Sequence, residues 1–97
     1  MLPIAKELKK EIHKAIQKWL HDNHEITGFN PDLAASAINW AVASGLAEFQ
    51  AAHIYHHGLS DEYLTKVTEQ VMTVLVKECL LEQEIIEDSA IQNEIRQ

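Results

Sequence analysis

Cysteine, proline, glycine and aromatic residues are all scarce in this chain, and each shortage removes a class of protein. The one cysteine, Cys79, cannot close a disulfide within the chain, so a disulfide-stapled secreted scaffold is not expected and a reducing cytoplasm is. Two prolines, three glycines and six aromatics among 97 residues give little support for the turns and strands of a β fold. No signal-peptide pattern opens the chain, because Lys6, Lys9 and Lys10 interrupt any apolar stretch there. The longest uncharged apolar run, Leu33 to Ala47, falls short of the roughly 20 residues a membrane span requires, and Ser36, Asn39 and Ser44 dilute it.

Chemical signatures are missing as well. The glycines are scattered, so there is no phosphate-cradling loop and no nucleotide fingerprint. Glu48, Glu78 and Glu82 lack a histidine three residues later, so the Glu-x-x-His pairs of a di-iron bundle are absent. No histidine stands in a sequence context that would activate Cys79, and a buried, inert thiol is expected.

What the chain has is apolar content, 46% of its residues, recurring at three and four positions rather than alternating. That period predicts an all-α fold in a single domain, residues 1–97. A first helix is expected over about 3–22, with Pro3 in its first turn. Its stripe of Ile4, Leu8, Ile12, Ile16, Trp19 and Leu20 lies opposite the lysines. In the connection that follows, Gly28 provides a break, and Ile26 with Phe29 should plug the end of the core.

A second helix is expected over 31–57. Asn30 can cap it, Pro31 suits its first position and Asp32 its positive end. Gly58 supplies the stop. Between Asp32 and Asp61 the only formal charge is Glu48, so this helix should be buried. At 100° per residue it has two opposed apolar faces. One carries Ile38, Val42, Gly45 and Phe49, flanked by Ala34, Ala41 and Ala52. The other carries Leu33, Trp40, Ala43, Ala47, Ala51 and Ile54. Close packing on the first face predicts that Gly45→Leu would unfold or rearrange the bundle.

A third helix is expected over 61–87, capped by Ser60, with Asp61 and Glu62 in its first turn. Its apolar arc is wide, and Val76 with Leu80 extend it to the far side. Ser89 should interrupt this helix or cap a short last one carrying Ile91 and Ile95. Three antiparallel helices of this kind leave apolar faces over, so dimerisation should complete the bundle. Trp40, Ala47, Ala51, Ile54, Val76 and Leu80 are the expected interface.

The charge is asymmetric. Residues 1–20 carry +3 and residues 21–97 carry −10, within a net charge of −7. Nucleic acid is therefore a poor partner for most of the surface, since phosphate recognition needs clustered Lys and Arg. The first helix alone has that character, with Glu7–Lys10 and Glu11–Lys14 spacings that suit local ion pairs. A helix that lies on a membrane surface through this basic face is a third reading.

One histidine cluster invites a chemical reading. His53, His56 and His57 lie three and four residues apart, so two imidazoles could grip one ion, with Asp61 or Glu62 completing a zinc or non-haem iron site. The simpler account is that last-turn histidines satisfy helix-end carbonyls. The expectation is thus a homodimeric, non-catalytic protein-binding adaptor, regulator or inhibitor without cofactor. A zinc or iron bundle is the alternative.

Overall fold

Helix-starting and helix-stopping chemistry accounts for the element order in the computed structural model, which describes residues 3–28 and 30–96. Four helices follow one another: α1 (Pro3–Asp22), α2 (His24–Thr27), α3 (Pro31–His57) and α4 (Asp61–Arg96). The fold is all-α, with no strand among the described residues. No helix among them is long and apolar enough to cross a membrane.

The boundaries of α3 rest on two local devices. At its start, Asn30 Oδ1 accepts from the Leu33 N–H at 3.0 Å, and the Asn30 carbonyl accepts from the Ala34 N–H at 3.2 Å. The first of these satisfies a backbone donor that an uncapped helix leaves unpaired, and the second is the first bond of the helical ladder. At its end, Gly58 takes a φ of 60° and the Leu59 N–H donates to the Ile54 carbonyl at 3.0 Å. This is the six-to-one closure of a Schellman motif, in which glycine adopts the left-handed conformation without a Cβ penalty.

The α1 end is closed by Asn23. Its side-chain amide donates to the Trp19 carbonyl at 2.9 Å, and its backbone N–H donates to the same oxygen at 3.0 Å. The expected plain connection after α1 thus contains the single turn α2. Ile26 does not plug a core: it is exposed, on a one-turn helix with nothing over it that would bury it. Phe29, its expected companion, lies outside the described residues.

α4 departs most from expectation. It runs unbroken through Ser89 to Arg96, so no separate last helix forms. Ser89 sits between Asp88 and Ala90 with no glycine or proline after it, and a serine alone costs a helix too little to end it. Three threonines return their hydroxyls to the backbone four residues earlier, as Thr68 does to Leu64 at 2.9 Å and Thr73 to Glu69 at 2.8 Å.

The chain divides into two units, Met1–Phe49 and Gln50–Gln97. In the first, α1 faces Ala37, Ile38, Ala41 and Val42 of α3 across an apolar groove. Contact fades toward the start of α1: Ile16 and Leu20 are half-buried, whereas Leu8 is exposed and Ile4 is 85% exposed. Ala34, at 6%, is the one buried residue among those described.

That single buried residue corrects three expectations about the isolated chain. α3 is not internally covered along its length. Cys79 is exposed rather than buried. Gly45 is not pressed by a neighbour, since a Cβ placed on it meets nothing within 4 Å, so the close packing expected at Gly45 is not formed in the protomer. Periodicity identifies which side of a helix is apolar, and a neighbour must be present before that side is buried.

Candidate functional site

In the first unit, alternation of small and large residues along α3 shapes two unlike apolar faces. The face toward α1 is built from Ala37, Ile38, Ala41 and Val42, and with Ile12, Ala15, Ile16 and Trp19 of α1 it encloses a groove of about 310 Å³. The other face carries Trp40, which is 74% exposed, together with exposed Ala43 and Ala47. A tryptophan flanked by alanines offers a large rigid contact with room around it.

α1 also presents a basic surface of Lys6, Lys9, Lys10, His13 and Lys14. Lys10 pairs with Glu7 at 3.4 Å and Lys14 with Glu11 at 3.6 Å, as the sequence spacings predict. Lys18 bonds Asp22 at 2.6 Å. That hydrogen bond, with the charge behind it, holds the Asp22 carboxyl below its ordinary value and the Lys18 ammonium above its own. All three pairs are exposed and contribute only modestly. Lys6 and Lys9 make no ion pair among the described residues.

In the second unit, the end of α3 and the start of α4 meet around Gly58. His53 lies against His57, with ring centroids 4.6 Å apart and planes tilted by 50°, and against Tyr63 at 5.6 Å. His56 instead contacts the edge of Tyr55 at 5.3 Å. His53, His56, His57, Asp61 and Glu62 are thus not drawn together as a ligand set. Among the described residues no three His, Cys, Asp or Glu side chains form a group that could hold a metal ion.

Tyr63 is the contact missed in the sequence. Its position three residues after Ser60 is the available signal, because the tight Gly58 turn returns the first turn of α4 beside the last of α3. Further back in α3, Gln50 Oε1 is buried with no hydrogen-bond partner among the described residues, an arrangement that costs a protein on the order of 1–3 kcal/mol.

Of the six residues expected at an interface, Trp40, Ala47, Ala51, Val76 and Leu80 are exposed and Ile54 is half-buried. The Ile54 carbonyl also accepts the Schellman closure from the Leu59 N–H. α4 adds exposed Leu75, Leu81, Ile85 and Ile86. The described side chains therefore offer apolar surface for contact.

Compared with known proteins, the chain matches no family model, no curated protein and no solved structure.

Proposed function

We propose that this chain is a non-catalytic protein-binding adaptor, regulator or inhibitor whose helices complete their packing as a homodimeric antiparallel bundle. The observation that carries the reading is the mismatch between apolar content and burial. A chain that is 46% hydrophobic buries only Ala34 among its described residues, while Trp40, Leu75, Val76, Leu80 and Ile86 are each more than half exposed.

Exposed apolar patches of this extent mark contact surfaces, and a second copy is the partner available to every molecule.

The acidic balance of residues 21–97 favours a further protein partner with a basic surface, reached through whatever apolar area the dimer leaves open. Static light scattering of the untagged full chain tests the assembly. A mass of two protomers or more is expected at micromolar concentration, with Trp40→Asp shifting the mass toward one protomer. Wild-type and Trp40→Asp masses that agree would remove Trp40 from the interface.

A further inference from the structure

α1 divides its surface between apolar and charged residues more sharply than α3 or α4. Ile4, Leu8 and Ile12 recur every four residues along one side, and all three are exposed, Ile4 at 85%. At 100° per residue Lys6 and Lys10 fall on the opposite side, with Lys9, His13 and Lys14 beside them. The groove shared with α3 begins at Ile12, so Ile4 and Leu8 lie beyond it.

This arrangement restricts what can cover the first half of α1. A protein surface laid along one side would meet either the apolar residues or the lysines. A lipid interface meets both at once, because a helix lying in its plane sinks its apolar side to the acyl boundary while its polar side stays at the depth of the headgroups. Lysine suits that position, since its apolar stem lets the ammonium reach the headgroup level.

Charge selects the lipid. Between residues 3 and 14 stand four lysines and two glutamates. Glu7 and Glu11 pair along the helix with Lys10 and Lys14, and Lys6 and Lys9 make no ion pair among the described residues. The acidity of residues 21–97 begins at Asp22, about 12 Å along the axis from Lys14 and outside the roughly 8 Å range of charge at physiological salt.

We propose that the N-terminal half of α1 lies in the plane of an anionic lipid surface, with Ile4 and Leu8 inserted and Lys6, Lys9, Lys10 and Lys14 at the headgroups. No helix among the described residues is long and apolar enough to cross a membrane, so the contact is attachment to a surface. It uses α1 and leaves the apolar faces of α3 and α4 to the homodimer.

Co-sedimentation of the untagged full chain with vesicles tests this. Vesicles of phosphatidylcholine mixed with phosphatidylserine should carry the chain down, and phosphatidylcholine alone should carry far less. Each lysine near an anionic surface strengthens binding about fivefold, so Lys6→Gln with Lys9→Gln should weaken it at least tenfold. Ile4→Gln with Leu8→Gln should weaken it as well, with the circular dichroism of both variants in solution unchanged. A wild type that ignores the anionic vesicles, or binds neutral ones equally, would overturn the proposal. Loss with the lysine pair and none with the apolar pair would overturn it too, leaving the basic side to a soluble acidic partner. A fall in the mass of the assembly in the apolar pair would assign Ile4 and Leu8 to the homodimer instead.

Discussion

The Leu59 N–H donates to the Ile54 carbonyl at 3.0 Å across Gly58, whose φ is 60°. This one closure ends α3, and it places Tyr63 of α4 against His53. Gly58→Ala keeps every side chain but puts a Cβ into the left-handed region, at a cost of about 1–2 kcal/mol. Urea denaturation should show that loss, with Gly58→Asn closer to wild type. Equal stability of Gly58→Ala and wild type would mean that the turn opens freely.

The start of α3 rests on the Asn30 side chain. Asn30→Ala removes the acceptor for the Leu33 N–H and should cost about 1 kcal/mol. Asn30→Asp should retain the cap and the stability. Hydrogen exchange at the Leu33 amide gives the local readout, and protection there should fall in the alanine variant alone.

These boundaries were legible in the sequence because capping is local chemistry. Asn30 with Pro31, and His57 with Gly58, need no distant residue to act. The run of α4 through Ser89 was not legible, because serine is a respectable cap and only the absence of a following breaker decides against it. Burial was the larger error. Leu8 and Ile12 have the spacing of core residues, and yet each is exposed in this chain. Periodicity records that a face is to be covered but not by which molecule. In the histidine cluster, four-residue spacing brings His53 to His57, while the His56 ring lies against Tyr55.

Gly45 separates a free helix from a covered one. Nothing lies within 4 Å of a Cβ at this position, so Gly45→Ala should stabilise the protomer by about 0.5–1 kcal/mol through helix propensity. Thermal unfolding under dissociating conditions measures this. A destabilised protomer would show that α3 is closely packed there after all.

Acid and base act on the Lys18–Asp22 pair in opposite directions. The folded value of Asp22 lies below its ordinary 3.8, so its contribution to stability is present above that pH and is lost as pH falls through the lowered value. The folded value of Lys18 lies above its ordinary 10.5, so its contribution is full below that pH and is lost as pH rises through the raised value. Carboxyl chemical shifts followed by NMR should place Asp22 lower in the wild type than in Lys18→Met. Coincident titrations would show that the 2.6 Å contact is not held in solution.

Central to the account is that the exposed apolar faces of α3 and α4 are covered by a second copy. Sedimentation equilibrium of the untagged full chain across a concentration series, from below micromolar upward, tests this most directly. A single associating species with the mass of a dimer, or a larger closed assembly, is the predicted result. A strictly monomeric chain throughout the micromolar range, with its helicity intact, would contradict it.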